Sequence, residues 1–466
     1  MKKIRLLIPL IILTTTQFIN GQTSDRVVLG YFPSWSENLP SADQNSKLRE
    51  VPSFVNYIFL SFAKPNLSYT IGSYDISDTG IQTPYNGCTL RESVSVLKDK
   101  GIQVILSIGG ETYWGSPEAY NINYQEIKDL VDDIGFAGID WDFEPNGSFA
   151  EIGNSKNVQH FIDFFNNSRT IMPRSDGYIL ACAPSGVGAL GGQVNDDSSS
   201  PFAFANRKTL TGENDANLYS GPATTNGINL FGFTATGHMI PVFQSIGDKI
   251  DLVAYQGYNA GGSTNRSIMY DAFAYYAEQY GFLVAAGVYY PNEPWGPYYE
   301  YNHTNVASLS QHIIEHPTRN DDNDGIMIWQ LLRENSSLNS SAYSYMNVAS
   351  SVFSGSTENN AILNANNYSL SPYTGGAKNC DDLLMNDNSK IKIYSIPSKI
   401  YPIPSKDFIQ ILGFNKTEEV KIYNTLGVEV LKESISNNRK INIQNLNNGM
   451  YFLNFENGNT LKFIKD

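Results

Sequence analysis

Eight short runs rich in β-branched and aromatic residues recur between about Asp25 and Phe353, and most of the stretches between them are long enough to hold a helix. The runs are VVLGYF from Val27, VNYIFLSFA from Val55, IQVILSIGG from Ile102, GFAGIDWDFE from Gly135, YILACAP from Tyr178, KIDLVAYQGYN from Lys249, GFLVAAGVYY from Gly281 and GIMIWQLL from Gly325. Near-continuous apolar runs of this length fit parallel strands buried on both faces, and spacers of helical length fit their crossovers. Eight such units predict an α/β fold, a closed (β/α)8 barrel, with a doubly wound open sheet as the structural alternative. The spacer at 185–247 is longer and rich in Asn, Gly, Ser and Thr, and we expect it to wall one side of the barrel mouth.

Several runs turn polar or aromatic at their C-terminal ends: Tyr31 and Trp35, Ser107 to Gly110, Asp142 and Glu144, Tyr258 and Asn259, Tyr289 and Tyr290, Trp329 and Gln330. In a barrel these ends converge on one mouth. The fourth run, AGIDWDFEP, places Asp140, Asp142 and Glu144 at alternate positions, so in a strand they share one face while Ile139, Trp141 and Phe143 share the other. A strand with one solvated face would look the same in isolation. At a barrel mouth, that face looks into a cavity, where unpaired carboxylates are costly and need a purpose.

The remaining composition narrows the partners. Residues 1–22 carry Lys2, Lys3 and Arg5, then an apolar stretch from Leu6 to Leu13 and small or polar residues around Gly21, the pattern of a secretory signal peptide. No later segment is long and apolar enough to span a bilayer. A formal charge of −14 argues against nucleic acid and anionic lipid, while 12% aromatic content suits a neutral partner that stacks. Cys88, Cys182 and Cys380 are odd in number and far apart, so no disulfide framework is expected.

Domain 23–354 is expected to be the barrel, 355–388 an Asn/Ser/Gly-rich linker, and 389–466 a small antiparallel β-sandwich. The last shows period-two segments FIQIL, EVKIYNTLGVEVLK, KINIQNLNNGMYFLNF and NTLKFIKD, with turn signals at Asn424 to Gly427, Asn447 to Gly449 and Glu456 to Asn459. Its opening Tyr401-Pro402-Ile403-Pro404-Ser405 and its closing GMYFLNF and LKFIK resemble the C-terminal sorting domain of type IX secretion substrates. The resemblance implies the secretion machinery as a partner, export across an outer membrane with the tail removed on the way, and a secreted or cell-surface location. A carbohydrate-binding module is the competing reading, weakened by the absence of Trp from the tail.

Close carboxyls resist joint ionisation, so Asp142 is expected to raise the proton affinity of Glu144 and keep it an acid near neutral pH. A protonated carboxyl at a cleft suits protonation of a glycosidic oxygen, yet the obvious acids share one strand, which leaves the nucleophile unassigned. An N-acetyl group on the substrate can fill that role. AGIDWDFE, LSIGG at Leu106 to Gly110 and IMIW ending at Trp329 are together similar to family 18 glycoside hydrolases, the chitinases and related endoglycosidases. The resemblance implies Glu144 as general acid and base, Asp142 as the group holding the acetamido and the oxazolinium intermediate, and Asp140 as its support. The sixth run reads either as a changed Tyr255-Gln256 pair or, counting from Asp251, as a Gln256-Gly257-Tyr258-Asn259 variant. The second makes Tyr258 a catalytic hydrogen-bond donor to the acetamido oxygen, with Gln256 and Asn259 nearby. Trp329 is implied as the floor of the reacting subsite, with Tyr31 and Trp35 as further substrate contacts. Trp114 and Trp295 read equally as contacts or packing anchors, and Trp141 as an outward packing residue. Ala137 departs from the family signature, where an Asp is expected, on the opposite strand parity from the acids.

His312, Glu315 and His316 match an inverted zinc-protease pattern, but they precede Pro317 on an expected outer helix and read as a solvated face. Metal binding by Asp140, Asp142 and Glu144 lacks a matching acid cluster on a neighbouring strand. No metal and no cofactor is therefore expected. The partner is chitin or another N-acetylglucosamine-containing glycan, and the protein is expected to act as a monomer. The leading function is a secreted chitinase, followed by an endo-β-N-acetylglucosaminidase acting on N-glycans, then a non-catalytic sugar-binding protein.

Overall fold

Each of the eight apolar runs forms a strand, because a side chain on either face finds apolar neighbours. A computed structural model describes residues 25–37, 46–145, 152–206, 235–260, 264–291, 293, 299–319, 323–333, 341–367, 399–401, 405–412, 418–425, 427–435, 440–455 and 460–466. The segment 1–22, Trp295 and the turn at 456–459 lie outside these residues. Strands β1 (Val28–Pro33), β2 (Tyr57–Ala63), β3 (Gln103–Gly109), β4 (Gly138–Asp142), β5 (Ile179–Cys182), β6 (Leu252–Tyr255), β7 (Leu283–Tyr289) and β8 (Gly325–Trp329) pair in sequence order. β8 then pairs in parallel with β1, Ile326 against Val28, and closes the barrel. An open doubly wound sheet is thereby excluded.

Asparagines set many of the helix starts. Asn86, Asn123, Asn154 and Asn302 accept a backbone N–H at the beginnings of α1 (Gly87–Asp99), α2 (Tyr124–Ile134), α3 (Ser155–Ile171) and α6 (His303–Glu315). Helices α4 (Met239–Ile246) and α5 (Arg266–Tyr280) lie between them in the chain, and Asn265 caps α5 in the same way. Gly135 and Gly281 end α2 and α5 in the left-handed conformation, where a Cβ is unfavourable. Toward the helices, Trp141 of β4 stacks on Phe164 of α3 at 4.9 Å and donates its indole N–H to Ser168 Oγ at 3.1 Å. The apolar parity of β4 therefore faces outward and its acidic parity inward.

Two sequence expectations need correction, and a third falls partly outside the described residues. The stretch at 355–388 begins not as linker but as helix α8 (Glu358–Asn367), which follows α7 (Ala342–Phe353) and buries Ala361 and Ala365 completely. Asn-rich composition hid two alanines spaced by one helical turn. The long spacer before β6 includes α4, whose Met239, Val242 and Phe243 are buried, while its stretch 207–234, expected to wall the mouth, lies outside the described residues. Cys88 is disulfide-bonded, while Cys182 is free and buried. Wide spacing in sequence says little about which cysteines a fold brings together.

The chain divides into two compact units, Met1–Cys380 and Asp381–Asp466. In the second, β9 (Lys399–Tyr401), β10 (Phe408–Leu412) and β13 (Lys440–Asn442) form one antiparallel sheet. A second comprises β11 (Glu418–Asn424), β12 (Glu429–Ile435), β14 (Gly449–Phe455) and β15 (Thr460–Lys465). Alternate residues Val420, Ile422, Leu453, Phe455 and Phe463 meet Ile409 and Ile441 from the other sheet in one small core. No helix among the described residues is long and apolar enough to cross a membrane.

At the barrel end opposite the mouth, Asp324 is fully buried beside the start of β8. Its carboxylate accepts from Arg319 at 2.9 and 3.0 Å, from Tyr270 Oη at 2.9 Å and from Val284 N at 2.8 Å. Replacing it leaves the buried Arg319 cation without this partner, so Asp324→Ala is expected to cost about 3–5 kcal/mol. Calorimetric unfolding checks this; a loss below about 1 kcal/mol, the range of an exposed pair, would contradict it.

Candidate active site

The end of β4 is clasped by the loop after β3. The Asp142 carbonyl accepts from Gly110 N at 2.9 Å and from Trp114 Nε1 at 2.7 Å. A Cβ on Gly109 would lie 2.3 Å from both that carbonyl and the Trp114 indole nitrogen, so only glycine admits the contact. Ser107, two residues earlier, donates to Asp140 Oδ2 at 2.6 Å. The SIGG segment thus serves β4 through its serine, its small residues and the loop that follows. Trp114 is buried and its indole holds the strand, so it is a packing anchor and does not line the mouth cavity.

Asp140 lies deepest. Tyr31 Oη donates to its Oδ2 at 2.9 Å, while its buried Oδ1 has no partner among the described residues. Burial pushes its carboxyl up to about 7 against the pull of these two hydrogen bonds. Asp142, next toward the mouth, is raised well above the usual carboxylate range by burial first and by the charges of Glu144 and Asp140 second. Glu144 is raised to about 7, chiefly by burial, with the charge of Glu111 adding to it.

The cause differs from the sequence expectation. Asp142 and Glu144 hydrogen-bond to each other, and that bond favours the Glu144 anion while raising Asp142. A hydrogen bond between two carboxyls requires a proton, so the pair titrates as a unit. Gln256 Nε2 donates to both, at 3.2 Å to Asp142 Oδ1 and 3.1 Å to Glu144 Oε1. Burial, not the neighbouring charge, is what lifts Glu144.

Above these acids opens a cavity of about 450 Å³. Glu144, Gln256, Tyr258, Asn259, Trp35 and Trp329 line it, whereas Asp140, Asp142 and Tyr31 do not. Tyr31 was expected to touch substrate. It is instead buried beneath the cavity as a donor to Asp140. Trp35 stacks on Phe62 at 5.6 Å and Phe62 on Trp329 at 5.8 Å, forming one aromatic wall in which Trp35 is 41% exposed. Phe62, Glu111, Tyr113, Tyr289, Gln330 and Arg333 complete much of the lining. Phe62 and Glu111 lay within or just beyond strand ends and were open to discovery by the same rule that found Trp35. Arg333 lies farther along a loop, where no periodic signal reaches.

Elsewhere, His312 Nε2 sits 2.6 Å from Asp271 Oδ1 and His316 at 3.6 Å, an acid–histidine cluster on the outer helices. Among the described residues no group of three or more His, Cys, Asp or Glu is placed to hold a metal ion.

Residues 27–197 match the glycosyl hydrolases family 18, and residues 399–466 match the secretion system C-terminal sorting domain. A chitinase of Plasmodium falciparum (isolate 3D7) is 27% identical over 332 residues, 67% of this chain and 82% of that protein. Chitinase ChiA of Flavobacterium johnsoniae is 24% identical over 267 residues, covering 53% of this chain and 14% of that longer protein. A crystal structure of a GH18 chitinase from Pseudoalteromonas aurantia aligns with 20% identity and a TM-score of 0.40, covering 65% of this chain and 93% of its own.

The raised carboxyls have a consequence for stability. A carboxyl held at about 7 in the folded state, against an ordinary 4.5 for Glu144, binds its proton more tightly folded than unfolded. Its contribution favours the native state at low pH and is lost as pH rises from about 4.5 through about 7. Glu144→Gln removes this titration, so the fall in melting temperature between about pH 5 and pH 8 is expected to be shallower in the variant than in the parent. Parallel curves in scanning calorimetry would contradict the assignment.

Proposed function

From a chain that carries a family 18 glycosyl hydrolase domain on a (β/α)8 barrel and a secretion-sorting tail, we propose a chitinase that cleaves β-1,4 bonds between N-acetylglucosamine units. The chain is a glycoside hydrolase, and its sorting domain places it outside the cell or at the cell surface. The observation that carries the finer reading is the pair of buried Asp142 and half-buried Glu144, bridged by Gln256, at the base of a cavity walled by Trp35, Phe62 and Trp329. Aromatic faces suit the apolar faces of sugar rings. The relatives named chitinases support the same substrate class.

In this reading a sugar stacks on Trp329 with its glycosidic oxygen toward Glu144. The proton that the pair shares passes from Asp142 to Glu144, which donates it to that oxygen as the bond from C1 to the leaving sugar breaks. The substrate's own acetamido oxygen closes onto C1 from the opposite side, because the carboxyl paired with Glu144 lies on the same strand. Asp142, as the anion, accepts the acetamido N–H and offsets the positive charge of the oxazolinium. Tyr258 donates to the acetamido oxygen and fixes its approach. Water then gives a proton to the Glu144 carboxylate as its oxygen attacks C1, which reopens the ring with retained configuration. Asp140, held by Tyr31 and Ser107, keeps a second negative charge or a proton in reserve beneath Asp142 as the pair changes state.

The test is mass spectrometry of products from an N-acetylglucosamine hexamer and, separately, from an N-glycosylated protein. Shorter oligomers from the hexamer are expected. A released glycan from the glycoprotein, with the hexamer intact, would replace this reading by an endo-β-N-acetylglucosaminidase, and silence on both by a sugar-binding protein. Glu144→Gln is expected to lower kcat by at least about 10³-fold, within the range general acid catalysis supplies, while leaving oligomer affinity nearly unchanged by calorimetry. Retained turnover would remove Glu144 as the acid.

A further inference from the structure

Behind the cavity wall that bears Tyr258 lies a buried ion pair with no part in the lining. Arg266, from the first turn of α5, donates through Nη2 to Glu293 Oε1 at 3.2 Å, and the two side chains are 4% and 0% exposed. Its Nε donates to Tyr301 Oη at 3.3 Å and its Nη1 to the Thr264 carbonyl at 2.6 Å. The guanidinium also sits 4.1 Å from the centre of the Tyr299 ring. Tyr301 lies just ahead of α6, and its own carbonyl accepts from Tyr345 Oη at 2.7 Å, which fixes it from the other side. Charge is thus sealed into the interior, where well-packed apolar residues of similar volume are often no less stable than a buried ion pair.

What the trio touches accounts for its chemistry. Tyr301 Oη donates to the Gly257 carbonyl at 2.7 Å, and the Glu293 carboxylate accepts the backbone N–H of Asn259. These two bonds bracket Tyr258 on either side along the chain. The bracket is needed because the backbone turns there. Asn259 has a φ of 56°, a left-handed conformation uncommon in residues other than glycine. A Cβ on Gly257 would lie 2.3 Å from the Gly287 carbonyl, so β6 ends pressed against β7. Tyr258 itself meets Tyr289 edge to face at 5.3 Å, and the course of the backbone sets where its ring enters the cavity.

We infer that Tyr301, Glu293 and Arg266 are positioning residues that hold Tyr258 at the reacting sugar by fixing the backbone on both sides of it. This rests on the reading of Tyr258 as the donor to the substrate acetamido group. An acceptor at Asn259 and a donor at Gly257 are both required, and only a polar cluster supplies them together. Arg266 serves both through one rigid fork.

The experiment is a double-mutant cycle in the full chain, with kcat and KM measured on an N-acetylglucosamine hexamer and melting temperature recorded for each variant. Tyr301→Phe, which removes one hydroxyl, is expected to lower kcat by about tenfold or more while KM changes by less than about twofold, as small misplacements of a reacting group do. On a Tyr258→Phe background the same change is expected to cost less than about twofold further, because the group it positions is already gone. Equal losses on both backgrounds, or a lowered melting temperature with kcat unchanged, would overturn the inference and leave the trio a structural element. Should Tyr301→Phe fail to fold, the isosteric Glu293→Gln is read through the same cycle with the same expectation. Absence of turnover by the unmodified protein would overturn the functional reading and this inference with it, whereas turnover insensitive to Tyr301 overturns the inference alone.

Discussion

Taking two carboxyls wholly and a third partly out of water along one strand is the constraint on which the rest of the barrel depends. Burial is the largest cause of the upward shift at each of Asp140, Asp142 and Glu144, and an isolated buried carboxylate is among the costliest groups a fold can hold. The fold answers by sharing protons and by supplying a small number of placed donors. Tyr31 and Ser107 serve Asp140, and Gln256 serves both Asp142 and Glu144. These donors come from β1, β3 and the end of β6, so closure of the barrel is what assembles them. With its strands in sequence order, an open sheet would leave β1 three strands away from β4.

The backbone around the row is fixed as firmly as the side chains. The Asp142 carbonyl is held by Gly110 and Trp114, and Gly138 enters β4 so close to β5 that a Cβ would lie 1.9 Å from the Ile179 carbonyl. Trp141 and Phe143 pack outward against Phe164 of α3. A strand pinned on its outer face by aromatic rings and at its end by two donors has little freedom to relax when a proton moves within it. That rigidity keeps the acids close enough to share the proton.

Much of this was legible in the residues. Period two in GIDWDFE implied an inward acidic and an outward aromatic parity, and the number of apolar runs implied eight strands. The tail's alternation likewise implied antiparallel sheets. What escaped had physical reasons. Tyr31 lies within β1 and Trp35 in the turn just beyond it, and depth within a barrel decides whether such a ring reaches the cavity or the acids beneath it. Helix α8 hides in an Asn-rich stretch because two alanines suffice to bury a short helix on its neighbours. Arg266 opens α5 while Glu293 and Tyr301 lie in the connection from β7 to α6, and no periodic pattern joins polar groups that meet only once the chain has closed. The rise in Glu144 was foreseen in direction but ascribed to its neighbour, because a sequence shows adjacency and not burial.

The account's central claim is that one strand supplies the proton traffic and the substrate supplies the nucleophile. The most direct measurement is the proton NMR spectrum of products within minutes of adding the protein to an N-acetylglucosamine hexamer, before the new reducing ends mutarotate. The account predicts the β-anomer first, as retention through an acetamido intermediate requires. An initial α-anomer would mean direct attack by water from the opposite face. That would contradict the account and turn attention to Glu111, the other carboxylate lining the cavity among the described residues, as the base.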